Sequence, residues 1–184
     1  MKFDTDRRRA SRRGYLAAAG AVGLGSIAGC LGFLIAEDNG DIEQVSELEV
    51  TVGPDREDDF DPRIGHIEEG GTVTFTWSSG NHDVTSMHVA NDLPEGAPEG
   101  SAPFSQDLAG PGQQLVWDFD VPGVYHIVCV RHERVGMLMS IIVGDPEDLD
   151  AEPALGEPDQ RLSDATIDRW SQNASEIREL LGGS

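Results

Sequence analysis

Residues 124–143 impose the tightest constraint on this chain. A β-rich run over 124–130 and another over 137–143 are separated only by Arg131-His132-Glu133-Arg134-Val135-Gly136. Runs of that length and composition predict two strands closed by a short loop. The loop region carries Cys129, His132 and Met137 in the spacing Cys-x2-His-x4-Met. Thiol, imidazole and thioether so close in sequence form a soft donor set, suited to copper and poorly suited to magnesium or calcium. Two paired strands can hold such a loop so that all three side chains point to one place. Any fold proposed for the chain must therefore set these strands side by side and bury the loop between them.

The rest of the central region supplies partners for the pair. Residues 48–52 (Leu-Glu-Val-Thr-Val) alternate over a strand's length, and Gly70-Gly71 reads as a turn into the β-branched and aromatic run Thr72-Val73-Thr74-Phe75-Thr76-Trp77. Further strands are predicted over 84–89 and 114–119. Residues 91–112, rich in Pro, Gly, Ser and Asp, read as a long surface loop. Closely spaced strands with no helical pattern between them predict an all-β sandwich over residues 47–144.

A trigonal copper site with a weak axial thioether needs two histidines and one cysteine in its plane. His82 supplies the missing histidine, because it follows the strand ending at Trp77 and the turn Ser78-Ser79-Gly80. The run 72–77 followed by His82, and Gly123-Val124-Tyr125 leading to Cys129, His132 and Met137, resembles the plastocyanin and halocyanin group of blue-copper proteins. The resemblance implies a cupredoxin-like Greek-key β-sandwich of eight strands with one copper ion near one end. It implies His82, Cys129, His132 and Met137 as metal ligands, and electron transfer through the outer edge of His132. Met139 competes with Met137 for the axial role, and His88 with His82. Both competitors lie farther along predicted strands, and His66 and His126 read as surface or edge histidines. Two residues depart from the family pattern. Asp83 stands where Asn is usual after the first histidine. Its N–H can still reach the cysteine sulfur, and its carboxylate favours Cu(II). Arg131 stands where Pro is frequent before His132, so the surface around that histidine should be more polar.

The N-terminal residues 1–30 read as an address. Ser11-Arg12-Arg13-Gly14-Tyr15-Leu16 resembles a twin-arginine export signal, and Ile27-Ala28-Gly29-Cys30 resembles a lipobox whose cysteine takes lipid. The apolar stretch between them is short for a permanent span. Residues 31–46 read as a tether that leaves the domain lipid-anchored on the extracytoplasmic face of the cell membrane. At the other end, residues 145–160 form an acidic linker. Ile167, Trp170, Ala174, Ile177 and Leu181 then recur at helical spacing behind a Ser163 cap, which predicts a short amphipathic helix that either packs back on the sandwich or frays, or docks a partner or a second copy.

Charge narrows the partners. The chain holds 13 Lys+Arg and 34 Asp+Glu, a net of −21. Six basic and two acidic residues lie within 1–29, so the remainder carries 7 basic and 32 acidic residues, a net of −25. Such a surface repels nucleic acid and anionic lipid, and it suits a folded protein in high salt, where self-repulsion is screened. Five histidines and no second cysteine near Cys129 exclude multicopper oxidases, two-copper nitrite reductases and binuclear oxidase centres. The expected function is a one-electron carrier that meets redox-protein donors and acceptors transiently at the membrane, not an enzyme. Copper storage or delivery on the same fold is the alternative.

Overall fold

The structure is a computed structural model in which residues 42–108 and 110–182 are described; the twin-arginine segment, Cys30 and most of the 31–46 tether lie outside them. Eight strands form in chain order: β1 Val45–Val52, β2 Phe60–Asp61, β3 Ile64–Trp77, β4 His82–Ser86, β5 Ser105–Leu108, β6 Gln114–Asp118, β7 Gly123–Val128 and β8 Leu138–Val143. Among the described residues one α-helix, α1 Asp164–Gly182, follows them. The all-β sandwich expected from the sequence is the architecture observed.

β3 joins the two layers. Its first part, 64–67, runs parallel to β8, and its second, 72–77, pairs with β1 (parallel) and β6 (antiparallel). The strand passes through Gly70-Gly71 where a turn had been expected. Gly70 takes φ +75, a conformation that costs glycine little. β8 continues the second layer through β7, β4 and β5. β5 falls within the span expected as surface loop, whereas the strand expected over 84–89 ends at Ser86 and gives way to a one-turn 3-10 helix at Val89–Asn91.

The pattern of apolar residues explains the layering. β3 alternates beyond the bend, with Val73, Phe75 and Trp77 buried and the threonines between them half-buried. Those side chains meet Phe104, Phe119, Tyr125, Ile127, Cys129, Met137, Met139 and Ile141 in the core between the layers. β7 and β8 are buried along their whole length. Their second face, with Val124, Val128, Leu138 and Ile142, is covered by Trp170, Ala174 and Ile177 of α1 and by Ala154 and Leu155. The continuous apolar run of β8 is thus the signature of a strand covered on both sides. The predicted stripe of α1 does pack on the sandwich, although Ile167 at its start is only half-buried. The 145–160 segment is more ordered than a plain linker, with a 3-10 turn at Pro153–Leu155 tucked under the sheet.

Candidate metal centre

Cys129 directly follows β7, and residues Val130–Val135 form a 3-10 turn that leads through Gly136 into β8. The turn is closed by Cys129 N–H donating to the Met137 carbonyl (3.0 Å) and by His132 N–H donating to the Cys129 carbonyl (3.0 Å). Gly136 takes φ +80, and its N–H donates to the Glu133 and His132 carbonyls. His82 opens β4, which lies beside β7 through Thr85 and Ser86. Strand pairing therefore carries His82 to the cysteine loop, 47 residues away in sequence.

Three ligand atoms converge. His82 Nδ1 lies 3.8 Å from Cys129 Sγ, His132 Nδ1 lies 3.4 Å from the same sulfur, and the two Nδ1 atoms are 3.0 Å apart. A point equidistant from all three lies about 2.0 Å from each by plane geometry, the length of a first-row metal–nitrogen bond. The three donor atoms all lie within 4.8 Å of one another, and two imidazole nitrogens with one sulfur are a soft set, so the residues fit a single metal ion.

The outer ring atoms support this orientation. His132 Nε2 faces Asp58 Oδ1 at 3.5 Å, and this ring is the part of the cluster nearest solvent. His82 Nε2 is buried and makes no hydrogen bond of ordinary geometry, but the Ser79 backbone is close enough to favour a proton there. A Cβ on Gly53 or Gly80 would lie 2.6 Å or 2.4 Å from that Nε2, so glycines at both positions make room for the ring. Outer nitrogens that carry the proton leave both Nδ1 lone pairs for a metal. Burial, and then the neighbouring His132, hold His82 below the usual histidine range. Burial also pushes the Cys129 thiol up to about 11, so a metal must displace its proton.

Asp83 organises the loop. Its N–H lies 3.4 Å from Cys129 Sγ, the contact expected from the sequence. Its carboxylate, only 4% exposed, accepts from Val130 N–H (3.0 Å), Arg131 N–H (3.2 Å) and Thr85 Oγ1 (2.8 Å). Arg131 Nε stands 3.8 Å from Asp83, and its Nη2 reaches Asp107 at 2.7 Å. The two departures from the family pattern thus contact each other.

Of the other sequence candidates, Met137 is fully buried in the core that also holds Cys129. Met139 is buried in β8 opposite Ile127. His88 caps the 89–91 turn, where its Nδ1 accepts from Ala90 N–H, and it stands apart from the cluster. His66 sits at the sheet end, where its Nε2–H donates to the Gly144 carbonyl (2.9 Å). His126 corrects the sequence reading: it is fully buried, its Nδ1 2.8 Å from Ser140 Oγ and its ring edge-on to Trp170. It lies on the face of β7 that α1 covers, through Trp170. Sequence reasoning also missed Asp58 and the glycines around His82, since only the fold brings residues 53–58 to the loop. The Gly53 and Gly80 positions, each beside a turn, were the only local signal.

A buried Cys/His/His triangle at one end of an all-β sandwich defines a copper-binding β-sandwich protein with a single-ion site. The sequence profile of "Copper binding proteins, plastocyanin/azurin family" matches residues 48–144, and the chain belongs to that family. Pseudoazurin from Methylorubrum extorquens is 28% identical over 111 residues, covering 59% of this chain and 67% of that protein. A putative pseudoazurin of Rhizobium leguminosarum bv. viciae is 34% identical over 86 residues, 47% of this chain and 51% of that protein. The structure of a Sinorhizobium pseudoazurin covers 75% of this chain and 99% of its own, with a TM-score of 0.55 at 25% identity. These relatives are pseudoazurins, where the motifs alone had suggested plastocyanins and halocyanins.

Proposed function

We propose that this chain is a type 1 copper protein that carries single electrons, and that His82, Cys129, His132 and Met137 would hold the ion. Copper supplies the Cu(II)/Cu(I) couple. The observation that carries the reading is the convergence of two Nδ1 atoms and one Sγ in a buried triangle, with the His132 ring as its edge toward solvent. The chain's own contribution is to hold the three donors before the metal arrives. β7–β8 pairing fixes Cys129, and the glycine-lined cradle fixes His82. Loop hydrogen bonds fix His132. A site held this way changes little between oxidation states, which favours transfer over storage. Val130 and Val135 are exposed on the same turn, beside Arg131 and Glu133. That mixed apolar and polar rim suits brief contacts with redox-protein donors and acceptors.

We place the protein outside the cytoplasmic membrane, exported by the twin-arginine route and held by lipid on Cys30, in a halocyanin-like setting of high salt. The motifs of residues 11–30 and the acidic charge support this placement. The first test is an optical spectrum after Cu(II) is added to the purified chain in high salt. An intense visible thiolate-to-copper band that disappears in Cys129→Ala is the expected result. A folded but colourless protein overturns the reading. Mass analysis of the N-terminal peptide from membranes checks the anchor: lipid on Cys30 is expected, and an unmodified cysteine refutes it.

A further inference from the structure

The outer side of the ligand loop is held by the first turns of α1. Ser163, which caps this helix through its Oγ to Thr166 N–H (3.3 Å), also donates that hydroxyl to the Glu133 carbonyl (2.9 Å). Thr166 Oγ1 donates to the same carbonyl, and Thr166 is fully buried. In the reverse direction, Ser163 N–H donates to Glu133 Oε1 at 2.6 Å, which sets a carboxylate against the positive end of the helix. Gly136 closes the contact, since a Cβ there would fall 2.7 Å from the Ala165 carbonyl. A second attachment runs to the other side of His132. Arg169 Nη1 lies 3.6 Å from Asp59 Oδ2, next to the Asp58 that faces His132 Nε2. The helix therefore touches the sequence immediately after His132 and the segment over its outer nitrogen.

The far half of α1 is secured independently. Trp170, Ala174 and Ile177 are buried against β7 and β8, Asn173 donates to Ser140 Oγ (2.9 Å), and Arg63 bonds both Asn173 and Glu176. A helix fixed at Trp170–Ile177 and bonded to the loop at Ser163–Arg169 transmits the rigidity of the sheet to the ligand turn.

We propose that Ser163, Thr166 and Arg169 are positioning residues for the copper site, fixing the His132–Met137 turn from outside. The proposal rests on the assignment of His132 and Met137 as ligands and adds an element that sequence patterning gave only a packing or docking role. The helix thereby limits how far His132 moves when the oxidation state changes.

The test uses the full chain and begins without metal. Amide hydrogen exchange is compared between wild type and Thr166→Val, which keeps the Ser163 cap and nearly the same volume. Exchange at His132, Gly136 and Met137 is expected to quicken about three- to tenfold, as for one lost buried hydrogen bond, while Ile141 in β8 is unchanged. Thr166→Ser should restore protection, because it restores the hydroxyl. Trp170 fluorescence should stay that of a buried indole in all variants. Unchanged loop exchange overturns the proposal, and so does loosening that appears only together with Trp170 exposure. After Cu(II) addition, Thr166→Val and Arg169→Gln should shift the ratio of the visible copper bands and slow electron self-exchange. Should wild type show no copper band, the ligand assignment fails, whereas the apo exchange result still decides whether α1 rigidifies the turn.

Discussion

Replacing Asp83 by Asn isolates the charge that most distinguishes this site. The carboxylate Oδ2 stands 3.5 Å from Cys129 Sγ, in a position 4% exposed. With the thiol protonated, sulfur donates to this oxygen. With the thiolate bound to metal, the same contact sets two negative groups side by side. Adding an electron to the site strengthens that repulsion, so Asp83 favours Cu(II) and lowers the reduction potential. Two unit charges at this separation interact by about 5 kcal/mol at an effective dielectric of about 20, which is a ceiling. The Val130 and Arg131 N–H groups and the Arg131 guanidinium offset much of it. A remainder of about 1–2 kcal/mol corresponds to roughly 40–80 mV for one electron. Asp83→Asn should therefore raise the potential by about that amount, measured by voltammetry at fixed salt. Arg131→Gln should move it the opposite way and by less, because the guanidinium is partly solvated and shared with Asp107. The double variant should fall between wild type and Asp83→Asn. Asn offers one oxygen where Asp offers two, so one of the two loop N–H groups loses its acceptor and stability falls by about 1–2 kcal/mol. The copper band must survive for the comparison to count. A potential that stays constant or falls in Asp83→Asn refutes the electrostatic argument.

Other outcomes follow from the same contacts. Trp170→Ala should cost about 3–5 kcal/mol in urea unfolding, because it empties the largest fully buried side chain of α1; a loss under about 1 kcal/mol would mean the helix adds little to the sandwich. His126 is fully buried, and desolvation lowers it from 6.5 to about 3. The unfolded chain therefore binds more protons below pH 6.5, and stability falls as pH drops from there toward 3. The loss should reach roughly 3 kcal/mol by about pH 4.5, and His126→Phe should flatten that part of the profile. An unchanged slope would show that other groups dominate the acid response. The acidic surface predicts salt stabilisation: raising NaCl from about 0.1 M to about 1 M should raise the melting temperature by several degrees. A temperature independent of salt would remove the main support for a high-salt setting.

The loop was legible because its chemistry is local. Cys129, His132 and Met137 lie within one turn of chain, and the soft donor set marked them before any fold was known. His82 was legible for a different reason: a turn after a strong strand places the next residue at a strand end, where β4 and β7 then meet. Asp83 and Arg131 were each noticed singly, but their contact is a product of β4 lying against the loop, which no sequence spacing encodes.

The misreading of His126 has a physical origin in the layer formed by α1. His126 alternates outward from the first core, and without a helix over that face an exposed imidazole would be the sound inference. Trp170 and Ala154 turn the same position into an interior one, where Ser140 satisfies one nitrogen and Asn173 bridges Ser140 to the helix. The clue in the sequence was Leu138-Met139-Ser140-Ile141-Ile142-Val143, which lacks the polar alternation of a strand with one wet face. A strand apolar on both sides demands a second covering layer, and the stripe Trp170, Ala174, Ile177 provides it together with Ala154 and Leu155. Placed there, the helix begins at Ser163, within reach of Glu133, so the demand for cover on β8 also brings α1 against the ligand turn.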